Sequence, residues 1–197
     1  MLPLLLSALL LSTSVDLWMM MPQALSDAVF DMDGQMLQTG TQYNVLPGVH
    51  VEGGGGLTLG FRNGNCPMNV AQHESNTSSG LPLTISPVNA SLTAIPVSTG
   101  VKVVFAAATI CVQSTAWRLG QVDRATGRRY VTTGRGVSTV SDWFEIEKYE
   151  DYYKLVSCQS VCIGCNVVCG DVGVVREGGK RWLVLSDEPF PVVFKKV

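Results

Sequence analysis

The sequence predicts an all-β domain, a β-trefoil of twelve short strands in three four-strand repeats, and three observations lead there. Hydrophobic residues make up 46% and charged residues 15% of the 197, with 20 glycines and 9 prolines, a composition too apolar for disorder and rich in turn formers. After residue 26, short β-branched or aromatic runs alternate with turn signals, and no helical periodicity exceeds two turns. Finally, Leu57-Thr58-Leu59-Gly60, Trp117-Arg118-Leu119-Gly120 and Leu183-Val184-Leu185-Ser186 share one alternating pattern, with Leu59, Leu119 and Leu185 spaced 60 and 66 residues apart.

The first repeat takes Val29 to Asp31, Tyr43 to Leu46, Leu57 to Phe61 and Met68 to Gln72. The second takes Leu83 to Ser86, Val101 to Phe105, Ala116 to Gly120 and Arg129 to Thr132. The third takes Trp143 to Glu147, Tyr152 to Val156, Arg181 to Ser186 and Pro191 to Phe194. Closing the strands into a barrel removes exposed edges. An irregular β-sandwich has the same strand count; the repeat spacing favours the trefoil.

Ahead of this domain, Leu2 to Leu11 is apolar except for Ser7, and apolar character resumes from Val15 to Met21. Residues 1–26 read as a signal peptide cut after Ala24-Leu25-Ser26, with small residues one and three positions before the cleaved bond. Asp16 interrupts the run and no Lys or Arg precedes Arg62, departures from the usual pattern. The rival reading, a membrane anchor, asks a broken apolar stretch to span a bilayer. Secretion, extracellular or vacuolar, of one domain over residues 27–197 is the expectation, with no membrane in the mature form. Such a chain buries roughly 70% of its unfolded surface and needs no metal to fold.

Fourteen Lys and Arg against sixteen Asp and Glu give a net charge of −2, without the basic excess that neutralises a phosphate backbone, so no nucleic acid partner is expected. The cysteines are Cys66, Cys111, Cys158, Cys162, Cys165 and Cys169, the last four spaced four, three and four apart. In a reducing compartment that cluster suggests zinc, or a redox pair at Cys162-Ile163-Gly164-Cys165. Behind a signal peptide the even count reads as disulfides. The palindromic spacing suits an outer bond Cys158 to Cys169 and an inner bond Cys162 to Cys165, leaving Cys66 to Cys111, one of fifteen connectivities that six cysteines allow.

Enzyme chemistry finds little support. His50 and His73 lie in loop or strand-end contexts without a nucleophile motif, and no hydrolase elbow is present. Gly53 to Gly56 lacks the Gly-Lys-Ser/Thr that completes a phosphate cradle and reads as a turn before a strand. Glu145 and Glu147 share one strand face, as paired acids do in a glycosidase, but alternation with Phe144 and Ile146 reads as a solvated face. Arg124, Arg128, Arg129 and Arg135 collect in the second repeat as a solvated basic edge, with Gly134-Arg135-Gly136 a floppy candidate for a trypsin-directed loop. No catalytic residue, metal site or cofactor is expected.

The run Val29-Phe30-Asp31-Met32-Asp33-Gly34-Gln35-Met36-Leu37, with Thr39-Gly40-Thr41-Gln42-Tyr43 behind it, resembles the opening signature of the plant Kunitz family, named for soybean trypsin inhibitor. Cys66-Pro67, Trp117-Arg118-Leu119, Trp143-Phe144-Glu145-Ile146-Glu147, Cys169-Gly170-Asp171-Val172-Gly173 and Leu183 to Phe190 follow in the family's order, across residues 29 to 197. The inner cysteine pair is most similar to the miraculin-like and cacao seed-protein branch. Tyr149-Glu150-Asp151 lacks the further cysteine that joins chains there, so no interchain disulfide is expected.

The resemblance implies a β-trefoil, secretion, plant seed or defence tissue and, in most members, inhibition of serine proteases by one rigid extended loop that loses little entropy on docking. Counted from Cys66-Pro67 with Gly80 in register, that loop falls on Pro87-Val88-Asn89-Ala90-Ser91-Leu92, with Ala90 at the specificity position. No Lys or Arg occurs from Asn63 to Val101, and the carboxylate in a trypsin pocket needs a cation. The implied partner is a serine protease that accepts small or apolar residues. Thr39 stands where inhibitory relatives place a loop-bracing asparagine. The alternatives are a non-inhibitory miraculin-like storage or defence protein and, more remotely, a carbohydrate binder. Asn76-Thr77-Ser78 and Asn89-Ala90-Ser91 are N-glycosylation sequons.

Overall fold

Alternation of period two organises the barrel wall. In Leu83–Pro87 and Val101–Phe105 every second side chain is buried, so Leu83, Ile85, Val101, Val103 and Phe105 enter one interior. The computed structural model describes residues 28–48, 53–134, 140–157 and 169–197. Twelve strands occur among them: β1 Gln42–Pro47, β2 Leu57–Gly60, β3 Asn69–Gln72, β4 Leu83–Pro87, β5 Val101–Phe105, β6 Trp117–Val122, β7 Arg129–Thr133, β8 Glu145–Tyr149, β9 Tyr152–Ser157, β10 Gly170–Glu177, β11 Lys180–Ser186 and β12 Val192–Lys196.

Six strands form a ring. β1 pairs with β4 and β12, β4 with β5, β8 with β9 and β9 with β12, all antiparallel. The bridge Val101 to Phe144, with N–H···O distances of 2.7 and 3.0 Å, joins β5 to the segment entering β8 and closes the ring. The remaining strands are the hairpins β2–β3, β6–β7 and β10–β11, whose returning strands pair with one another as β3–β7, β7–β11 and β3–β11. A closed six-strand barrel under three mutually paired hairpins is a β-trefoil, and ring closure overturns the sandwich reading.

The repeats begin one strand later than the sequence suggests. Each runs barrel strand, hairpin, barrel strand: β1–β4, β5–β8, β9–β12. Val29 to Asp31 belongs to no strand: an isolated bridge, Phe30 to Met36, lies within it and another, Ala28 to Pro96, just before it. The Asp31 carboxylate accepts the N–H groups of Asp33 (3.0 Å) and Gln35 (2.8 Å), turning the chain before a ladder can run. Conversely β10, hidden by Gly170 and Gly173, is a full strand. A Cβ on Gly173 would stand 2.4 Å from the Glu188 carbonyl, so glycine there marks close backbone approach rather than a turn. Leu59 and Leu119 therefore lie on outgoing hairpin strands, whereas Leu185 lies on a returning one, opposite Val172.

One buried core fills the barrel, with Trp117, Phe105 and Phe144 packed together in it: Trp117 meets Phe144 edge-on at 5.8 Å and Phe105 at a tilt at 5.5 Å. Glu145 departs from its expected solvated setting. It is buried, while Glu147 is half-buried and its carboxylate stands 3.5 Å from the Lys154 ammonium. Alternation correctly turns Glu145 away from Phe144 and Ile146, but periodicity carries no information on what covers the outer side of a barrel.

The hairpin cap is held by charge. Arg62, just beyond β2, donates to Asp123 at the end of β6 and to Glu177 at the end of β10, both at 2.8 Å, and its guanidinium lies 3.7 Å above the Tyr130 ring. The Tyr130 hydroxyl donates to the second Glu177 oxygen. Each hairpin supplies one charge to this clasp. The Arg62 guanidinium, against burial and with help from the N–H groups of Ala125 and Thr126, holds the Asp123 carboxyl down to about 2 from an ordinary 3.8. Glu177 is also lowered, first by the Tyr130 hydroxyl and, against burial, by Arg62.

A carboxyl depressed on folding contributes stability that is present above its unfolded value and lost as pH falls through its folded value. The cap is accordingly expected to weaken between pH about 4 and about 2. Melting temperature against pH should fall more steeply in this window for the natural chain than for Asp123→Asn, in which the contribution is missing at every pH. Parallel curves would overturn this assignment.

Candidate functional site

The β4–β5 connection lies at the barrel end opposite the hairpins, because each repeat leaves the barrel through its hairpin and returns before β4 turns into β5. Its first limb ends in the ladder. Pro87 is buried in β4 opposite Val101, and Val88 donates its N–H to Gly100 at 2.8 Å. The second limb is fastened to the amino-terminal segment. The Thr39 hydroxyl donates to the Leu92 carbonyl at 3.0 Å, the Thr39 N–H to Thr93 at 2.8 Å, and buried Ile95 exchanges backbone hydrogen bonds with Leu37 and Val29. Thr39 thus touches the loop at Leu92, through main-chain contacts and one hydroxyl.

Between these anchors Val88, Asn89, Ala90 and Ser91 are exposed and Leu92 half-buried. They form a closed turn. Leu92 donates its N–H to the Asn89 carbonyl at 3.1 Å, and the Asn89 side-chain oxygen accepts the Ser91 N–H at 3.1 Å and the Ser91 hydroxyl at 2.7 Å. The motif Asn-Ala-Ser folds this way because asparagine's short amide mimics a backbone acceptor. Ala90 and Ser91 are therefore the two central residues of a turn, where the resemblance implies extended backbone.

The loop itself supplies no cation, since none of residues 63–101 is Lys or Arg. Lys102, the first base beyond the loop, holds its ammonium 4.7 Å from the Trp143 ring centre. Arg124, Arg128 and Arg129 belong to the β6–β7 hairpin, at the opposite end of the barrel. Arg135 and Gly136 lie outside the described residues, as do His50 and residues 1–26. His73 is exposed, and its ring nitrogen accepts the Ser75 N–H at 3.2 Å. Asn76 is exposed on the loop beyond β3.

The Cys66–Cys111 disulfide is present, with Cα atoms 5.6 Å apart, and it encloses β3, β4, β5 and the whole loop. Cys169 is disulfide-bonded, while Cys158, Cys162 and Cys165 lie outside the described residues. No group of three His, Cys, Asp or Glu side chains suited to a metal occurs among the described residues.

Residues 29–196 match the family model of plant trypsin and protease inhibitors of the legume Kunitz type. The chain belongs to the plant Kunitz family. Kunitz relatives include Kunitz trypsin inhibitor 5 of Arabidopsis thaliana, 38% identical over 88% of each chain, and miraculin of Synsepalum dulcificum, 40% identical over 85% of this chain and 82% of that one. Among solved structures, the rice bifunctional alpha-amylase/subtilisin inhibitor superimposes with a TM-score of 0.72 at 39% identity, covering 87% of this chain and 99% of that one. The family is one of protease inhibitors rather than enzymes, and its relatives carry the names of trypsin and subtilisin inhibitors as well as of miraculin and a 21 kDa seed protein.

The sequence reading missed the Arg62–Asp123–Glu177 clasp. Its signal is a charged residue within two positions of the end of each outgoing hairpin strand, a cation in the first repeat and a carboxylate in the other two, which becomes visible only once the repeats start at β1.

Proposed function

We propose that this Kunitz protein is secreted and inhibits serine proteases whose primary pocket accepts small or apolar side chains, of the subtilisin, chymotrypsin or elastase type, and not trypsin. The observation that carries the reading is the exposed, cation-free apex around Ala90, anchored on both sides by Val88 and by Thr39 at Leu92. The rice relative, named an alpha-amylase/subtilisin inhibitor, supports this target class.

The Asn89 turn favours a second reading, a non-inhibitory miraculin-like storage or defence protein. A cleft that takes extended backbone must first open that turn, and a glycan on Asn89 would fill the space that the cleft walls occupy. Asn76 and Asn89 are the proposed glycosylation positions.

The test is an inhibition panel of residues 27–197 against trypsin, chymotrypsin, elastase and subtilisin. Stoichiometric titration of subtilisin or chymotrypsin, with trypsin untouched, is expected. Asn89→Gln from a glycosylating host should inhibit more tightly than the glycosylated parent, and Ala90→Arg with Thr39→Asn should create trypsin inhibition. Silence against all four proteases, by both the parent and Asn89→Gln, would establish the second reading.

A further inference from the structure

The cap at the far end of the barrel carries a cavity of about 300 Å³ between the first and second hairpins, walled on one side by Cys66 and Pro67 and floored by Tyr130 and Arg62. Four carboxamides line it: Asn63, Asn65, Asn69 and Gln121. None of the four side chains has a hydrogen-bond partner among the described residues, so each presents an unused donor and acceptor. Asn63, Asn65 and Gln121 are exposed and Asn69 half-buried, so the group is open to a ligand while one member reaches inward.

The rim adds positive charge. Arg129 is not part of the lining but donates through Nε to the carbonyl of Gly120, a residue of the cavity wall, at 2.8 Å, which ties its guanidinium to that residue. Arg124 and Arg128 are exposed on the turn of the same hairpin, and neither has a carboxylate partner among the described residues. The nearby acid Asp123, also in the wall, is already occupied by Arg62 and by the turn's own Ala125 and Thr126 N–H groups. The floor guanidinium of Arg62 is more than nine-tenths buried, and its Nε has no hydrogen-bond partner among the described residues.

Carboxamides that offer both donor and acceptor match hydroxyl groups, and guanidiniums match carboxylates. We propose that this cavity binds the acidic sugar units of an anionic polysaccharide, hydroxyls on the amides and uronate carboxylates on Arg129, with the chain continuing along Arg124 and Arg128. A membrane surface fits less well, since Val122 is the sole exposed large apolar side chain on this hairpin. The site lies at the end opposite the β4–β5 loop, so the proposal stands independently of protease inhibition.

Calorimetric titration of the mature chain, residues 27–197, tests it with three probes: polygalacturonate, its methyl-esterified form and polyglutamate. These carry sugar with charge, sugar without charge and charge without sugar. Polygalacturonate is expected to bind about tenfold or more tightly than either control. Asn65→Ala with Gln121→Ala, both exposed positions, should weaken it about tenfold, the loss of two ordinary hydrogen bonds. Arg124→Gln with Arg128→Gln should weaken it and flatten its salt dependence. Failure to bind polygalacturonate, equal binding of polyglutamate, or indifference to the amide substitutions would each overturn the proposal.

Discussion

A chain carrying Cys66→Ala and Cys111→Ala is expected to lose about 4 kcal/mol of unfolding free energy, the chain-entropy value for a loop of this length. The separation of the two cysteines is 45 residues, and the loop between them contains two barrel strands and the β4–β5 connection. Part of the effect lies in the unfolded chain, which expands when the link is removed. Denaturant titration should therefore show a lower midpoint together with a steeper slope, because a larger unfolded surface becomes exposed. An unchanged slope would place the loss in native packing instead. The functional corollary is local: with the link absent, the segment from Pro67 to Ile110 is tied to the rest of the molecule by its ladders, by the core and by the contacts of residues 92–98 with Thr39, Leu37, Val29 and Ile146, and protection of the 88–92 amides against hydrogen exchange should fall first.

Trp117→Ala is expected to cost about 3–5 kcal/mol, the range for removing a fully enclosed large aromatic. Trp117 is 1% exposed and sits between Phe105 and Phe144, so its deletion leaves a cavity that two rigid rings cannot fill by rotating. Its indole N–H has no hydrogen-bond partner among the described residues. A buried donor left unpaired carries its full desolvation cost. Trp117→Phe removes that orphan donor as well as some volume, and should cost markedly less than the alanine variant. Equal losses for the two would show that the packing contribution of the six-membered ring is negligible, contrary to its edge-on and tilted contacts with Phe144 and Phe105.

The barrel was legible because its strands obey alternation. Leu83 and Ile85, Val101 and Val103, and Phe144 and Ile146 each place both apolar members inward, as their spacing says. What the sequence concealed had local causes. Val29 to Asp31 has strand composition, yet a single carboxylate on Asp31 recruits two backbone donors and bends the chain. β10 contains two glycines, a turn signal that tertiary contact with Glu188 reverses. At the loop, the absence of Lys and Arg could be read directly, whereas the closed Asn89 turn depends on hydrogen-bond geometry that composition does not encode. The cap was hidden for a different reason: Arg62, Asp123 and Glu177 come from three repeats, at sequence separations of 61 and 115 for the two contacts Arg62 makes. No local window contains both partners of either bond.

That clasp also fixes the order in which the thirds of the molecule must be joined. The backbone is close to threefold, but one position of the axis is cationic and the other two are anionic. Three copies of the first repeat would bring three guanidiniums together with no counter-charge, and three copies of the second or third would crowd three carboxylates into the same place. A single repeat cannot therefore rebuild this barrel as a symmetric trimer, and exchange of repeats between two molecules is electrostatically matched only when each third returns to its own place. Shape makes the three sectors interchangeable; charge gives each of them an address.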